Sequence, residues 1–339
     1  MRRLILLLFL LSAVASSAQD PVFSQFYAAP LQLNPAFAGV TLAPRITLNY
    51  RNQWSQFFGG YQTYAASYEQ SIEGLNSGFG LMLMTDNAME GVYKTNRFSA
   101  IYAYQLQINE SFFIKFGTEA GIIQSSLDWD RLRFGDQIDP INGFEDPSGN
   151  PNLSEEQRPS SLNNSILDIS AGLLVYSNIF YGGIAVKHLN TPDQSLLELN
   201  KNLGVGLPVA LTFHGGAQIE VKQGNNRSAP AFISPNVLVI KQGDFAQINV
   251  GAYAGFGKFF SGLWYRHALT NADAAILLAG FRQGALRIGY SYDFTLSQLA
   301  DANSGGTHEI SLTINFDDSE NAKRRKRSSK YEDCFKIFR

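Results

Sequence analysis

Alternation of apolar and polar residues recurs along almost the whole chain, and a period of two admits little besides β-structure. In 286–294 one face carries Leu286, Ile288, Tyr290, Tyr292 and Phe294, and the other carries Arg287, Gly289, Ser291 and Asp293. In 307–316, Ile310, Leu312, Ile314 and Phe316 alternate with Glu309, Ser311, Thr313 and Asn315. Successive side chains of a strand point to opposite faces, so each segment has one apolar and one polar side. About fourteen such segments lie between residues 45 and 316. Many approach the roughly 9–11 residues with which a tilted strand crosses a bilayer.

The composition agrees with a membrane barrel. Charged residues make up 17% of the chain, against roughly 25% in an ordinary soluble domain. Glycine (30), phenylalanine (25) and tyrosine (15) are plentiful. After the first 18 residues no stretch is long and apolar enough for a transmembrane helix. The links between segments also sort by length. Those at 127–165, 188–207 and 294–306 fall on one side, and the very short ones at 109–110, 178, 257–258 and 284 fall on the other, where 222–230 is a longer, polar exception. Bacterial barrels have long outer loops and short periplasmic turns. We therefore expect an all-β fold: a transmembrane antiparallel β-barrel of about 14 strands, in the outer membrane, with both chain ends periplasmic. Ile310, Leu312 and Ile314 should face lipid. A soluble sandwich or propeller also alternates, but the sorted links argue against it, as does the lack of a fixed-period repeat.

The two ends stand apart from this pattern. Residues 1–18 read as a signal peptide: Arg2 and Arg3, then an apolar run, then the small residues Ser16, Ser17 and Ala18. Residues 19–44 lack a strand period. Pro21, Pro30 and Pro35 remove backbone donors there, while Phe23, Phe26, Tyr27, Leu31, Leu33 and Phe37 need burial. This segment is expected to form a plug against the inner wall of the barrel at 45–316. Residues 317–339 carry a net charge of +3, and 19–316 a net charge of −7. The acidic body argues against nucleic acid as a partner. The basic tail should be periplasmic. Charge blocks of this kind are commonly solvated and disordered; the aromatic end speaks for the alternative, a docking peptide for an envelope component that uses Arg324, Arg325, Phe335 and Phe338.

No catalytic or metal constellation emerges. His188, His214, His267 and His308 are scattered, and Cys334 is the only cysteine, so neither a disulfide framework nor a cysteine metal site is available. No enzymatic activity and no cofactor are expected. The long link 127–165 is rich in acids, among them Asp136 and Asp139, but lacks calcium-loop spacing. A loop of this length is commonly functional. Asp136 and Asp139, with His188 and Pro192 of the next long link, are therefore expected at a partner-contact surface.

Several segments, in order, resemble one known family. QDPVFSQFYAAPLQLNPAFAG at 19–39 is similar to the mature N-terminus of the PorP/SprF family, linked to type IX secretion in Bacteroidota. Its motif residues here are Phe23, Ser24, Gln25, Asn34, Pro35, Ala36 and Gly39. NYRNQW at 49–54, GDQID at 135–139, YGGIAVKHLNTPDQS at 181–195, GYSYDFTLSQL at 289–299 and SGGTHEISLTINF at 304–316 resemble further family segments. The resemblance implies a non-enzymatic barrel that supports secretion or surface attachment of a large adhesin-type protein. It also implies partners in the secretion and gliding envelope machinery, besides outer-membrane lipids. Asn34-Pro35-Ala36 is also similar to the plug motif of FadL-type barrels. An alternative is therefore a FadL-like channel for hydrophobic small molecules.

Overall fold

The computed structural model describes residues 19–41, 43–57, 59–196, 206–222, 231–269, 271–297 and 304–316. Residues 1–18, expected as a signal peptide, and the tail 317–339, with Arg324, Arg325, Phe335 and Phe338, lie outside the described residues. The strands are β1 (Arg45–Gln53), β2 (Tyr61–Ile72), β3 (Ser77–Ala88), β4 (Tyr93–Asn109), β5 (Phe112–Leu127), β6 (Asn163–Ser177), β7 (Phe180–Lys187) and β8 (Ala210–Ala217). They continue as β9 (Ile219–Lys222), β10 (Ala231–Gln242), β11 (Phe245–Phe256), β12 (Phe259–Ala268), β13 (Ala272–Gln283), β14 (Leu286–Thr295) and β15 (Thr307–Asn315). Gln218 separates β8 from β9, and both pair with β10, so together they form one stave. Every neighbouring pair is antiparallel. β15 returns to β1 in register from Arg45↔Asn315 to Gln53↔Thr307. The result is a closed barrel of fourteen staves, and closure leaves no unpaired edge.

Burial follows the alternation, but inverted relative to a soluble protein. On β15 Thr307, Glu309, Ser311, Thr313 and Asn315 are buried, while Ile310 is exposed. Ile310, Leu312 and Ile314 thus share the outer face. Lumen-facing positions carry the polar groups, as a membrane barrel requires. β4 and β5, with 17 and 16 residues, exceed the roughly 9–11 needed to cross. They extend the wall beneath the loop 128–162.

Residues 19–44 run through the lumen. Proline sets the local conformation: Pro30 opens a single helical turn, Pro30–Leu33, and Pro35 opens another, Pro35–Phe37. Proline suits a first helical position because no intrahelical donor is needed there. The segment enters β1 at the rim with the short turns. Its beginning lies at the opposite rim, where the Asp20 amide donates to Gln242 Oε1 at the end of β10 (2.9 Å). β1 begins and β15 ends at the short-turn rim, while the length of the plug carries residue 20 to the long-loop rim.

Candidate functional site in the plugged lumen

Three groups of contacts hold the plug. The first lies toward the long-loop rim and centres on Phe23-Ser24-Gln25. Both backbone amides of Ser24 and Gln25 donate to the Glu309 carboxylate, at 2.8 and 2.7 Å. The Ser24 hydroxyl donates to Asp293 (2.6 Å) and accepts from Arg51 (2.9 Å) and Arg266 (2.6 Å). Arg51 also pairs with Glu309 (3.1 Å), and Arg266 with Asp293 (3.0 Å). All four charged side chains are buried, which is tolerable only because each has an opposite charge and hydrogen bonds. Gln25 uses both ends of its amide. Its Nε2 donates to Ser291 (3.1 Å) and the Glu309 carbonyl (2.9 Å), while its Oε1 accepts from Ser311 (2.6 Å) and Tyr27 (3.1 Å). Phe23 packs with Ala29 and Met84.

The second group is Asn34-Pro35-Ala36. Asn34 caps its own turn by accepting from the Ala36 amide (2.9 Å). Its Nδ2 donates outward to the carbonyls of Leu173 (3.1 Å) and Ile184 (3.3 Å), and lies 3.0 Å from His214 Nε2. An amide nitrogen only donates, and its two hydrogens are shared among these three neighbours. The wall is hollowed to admit this turn. A Cβ on Gly172 would fall 1.9 Å from Asn34 Oδ1, and one on Gly117 would fall 2.2 Å from the Ala36 amide nitrogen. Phe37 stacks on His214 with ring centroids 5.3 Å apart.

The third group secures the two ends of the plug. Near the short-turn rim Lys115 Nζ donates to the Ala38 carbonyl (2.8 Å), and the Gly39 amide to Glu69 (3.2 Å), which pairs with Arg45. Gly39 has φ of 66° and touches Gly78 of β3, so both close approach and backbone geometry call for glycine. At the other end Asp20 meets His188 Nε2 (2.8 Å), whose Nδ1 meets Asp168 (2.8 Å). Between these ends Tyr27 lies edge-on to Tyr253 and Phe260, and Phe26 to Trp264. A cavity of about 20 Å³ remains between the plug and β7, β8, β10 and β11.

The motif residues Phe23, Ser24, Gln25, Asn34, Pro35, Ala36 and Gly39 are thus all buried inside the barrel. His188 and Pro192 are buried as well. Their expected place at a partner-contact surface is corrected: His188 turns inward to meet Asp20 and Asp168 instead. Asp136 and Asp139 do lie in the long loop. Asp136 accepts from the Glu155 amide and Ser154, and Asp139 from the amides of Ile141 and Asn142. Two isolated bridges, Asp139↔Gly143 and Glu145↔Pro151, brace the same loop. Its carboxylates therefore build the loop, while Ile141 and Leu153 project from it, each 91% exposed. Among the described residues no group of acidic, histidine or cysteine side chains is placed to hold a metal ion. Sequence reasoning missed Arg51, Arg266 and Asp293 as plug anchors. Their signal was a charge at a lumen-facing position of an alternating strand.

No curated protein sequence matches the chain. Among solved structures it is similar to the toluene transporter TodX of P. putida, with 12% identity and a TM-score of 0.46 over 84% of this chain and 92% of that one. It is also similar to a Pseudomonas aeruginosa FadL homologue, with 12% identity and a TM-score of 0.38 over 80% and 90%. The sequence itself is more specific. The family model of the type IX secretion system membrane protein PorP/SprF matches residues 15–314, and the chain belongs to that family of outer-membrane barrels.

Proposed function

We propose that this protein is a non-enzymatic outer-membrane platform on which the type IX secretion and gliding apparatus exports or anchors a large adhesin-type protein. The observation that carries this reading is the occupied lumen. A barrel filled by its own chain, with charged anchors buried inside, offers partners its rims rather than its bore. The long-loop rim faces outward, and the braced loop 128–162 presents Ile141 and Leu153 to the adhesin. The short-turn rim faces the periplasm, where the tail 317–339 docks to envelope components through Arg324, Arg325, Phe335 and Phe338.

Deleting the gene and cataloguing surface and secreted proteins tests the reading. Loss of one large adhesin from the surface is expected, as is its loss from a strain lacking only residues 136–154. Unchanged display of every large adhesin, with no paralogue compensating, overturns it. The alternative, a channel for hydrophobic solutes, requires saturable uptake of such a solute by the purified barrel in liposomes.

A further inference from the structure

The outer surface of the wall carries an apolar depression of about 390 Å³ where β15, β1, β2 and β3 lie side by side. Two rows of paired residues shape it. One row is Leu312, Leu48, Ala66 and Leu83, and the other runs through Tyr50, Tyr64 and Thr85. Ala66 and Thr85 are the small members, so they form the floor. Leu48 and Leu83 stand on either side, and the Tyr50 and Tyr64 rings close one flank with centroids 4.9 Å apart. The volume falls in the roughly 300–1,000 Å³ range of small-molecule sites.

We propose that this depression binds one acyl chain of a membrane lipid. It is continuous with the lipid-facing surface, on which Leu48, Tyr64, Leu83 and Ile310 are all exposed, so the bilayer covers it. Its lining is almost entirely hydrocarbon and aromatic, which gives water too few partners to remain there. An unfilled hollow would forfeit dispersion contacts along its lining. A linear, flexible, uncharged chain can follow a trough across four strands spaced about 4.8 Å apart. The floor is one backbone thick: Met84, beside Leu83, packs on Phe23 of the plug. The bound chain therefore lies against the part of the wall that holds the plug's first anchor.

Native mass spectrometry of the full chain in detergent, titrated with dipalmitoyl phosphatidylethanolamine, reads the site. Wild type should show a saturable adduct of one lipid. Ala66→Phe fills the floor and Thr85→Leu raises it from the second row. Each should weaken the adduct roughly tenfold while heat-dependent gel mobility shows a folded barrel. Thr85→Leu keeps the test open if Ala66→Phe fails to assemble. Equal lipid binding by wild type and a folded variant overturns the proposal. So does a wild-type dimer, without lipid, that Ala66→Phe converts to monomer, because the depression then receives a second copy.

Discussion

The Ser24 backbone amide, near the start of the described chain, donates to Glu309 in the last strand at 2.8 Å across a separation of 285 residues. The same carboxylate takes the Gln25 amide and Arg51. Removing it with Glu309→Ala would leave a buried guanidinium and two buried amides without this partner. Breaking a buried ion pair from one side costs about 3–5 kcal/mol. The denaturant midpoint of the barrel should fall accordingly, and protease should gain access to the plug. Glu309→Gln keeps an acceptor and should lose less. A midpoint equal to wild type in Glu309→Ala would show that the anchor carries no load.

Lumen-facing and lipid-facing glycines should respond differently to the same methyl group. Gly172→Ala places Cβ 1.9 Å from Asn34 Oδ1, so the Asn34 cap must move. Overpacking of this kind costs about 1–3 kcal/mol. On the opposite face, a Cβ at Gly182 meets nothing nearer than 3.8 Å, and an isolated surface change stays within about 0.5 kcal/mol. Thermal midpoints of the two variants in one detergent make the comparison. A larger loss in Gly182→Ala would reverse the assignment of faces.

Leu312 lies between the lumen-facing Ser311 and Thr313 and so points to lipid. Leu312→Arg should cost about 2–4 kcal/mol if the residue sits near the bilayer midplane. Thr313→Ser, on the lumen side, should be nearly neutral. Reversible folding into vesicles measures both.

The long loop should be sensitive to acid. Asp136 is held below the ordinary carboxyl range by the Glu155 amide and Ser154, Asp139 by the amides of Asn142 and Ile141, and Asp146 by Asn150. A carboxyl depressed in the folded state adds stability above its unfolded value of about 3.9 and loses it as pH falls through the folded value. Protection factors of the amides in 128–162, corrected for the intrinsic pH dependence of exchange, should therefore hold at neutral pH and fall on strong acidification, before the wall itself opens. Protection that is indifferent to acid would mean the aspartates do not brace the loop.

Much of the wall was legible because alternation is local. Glu309 and Ile310 declare opposite faces by their own chemistry, and fourteen such segments can only close or aggregate. The plug's seat was not legible in this way. Asn34 finds Gly172, Gly183 and His214 on three different strands, and nothing in any one strand's period marks which glycine admits which plug residue. His188 misled for a related reason. Its position just after β7 suggested an exposed loop, but Asp20 reaches the same rim from inside and supplies the second carboxylate that makes burial of an imidazole tolerable.

The bond between Ser24 and Glu309 also bears on how the molecule is assembled. The strand that supplies Glu309 is the one that seals the seam with β1, and it is the last to be translated. Ser24 and Gln25 therefore cannot settle until residue 309 is in place. A polypeptide broken off before residue 309 would lack both the closing strand and the seat for its own beginning. Completion of the barrel and settling of its interior are thus a single long-range event, of the slow, high-contact-order kind. An incomplete chain is left with two faults at once, an open edge and a loose end.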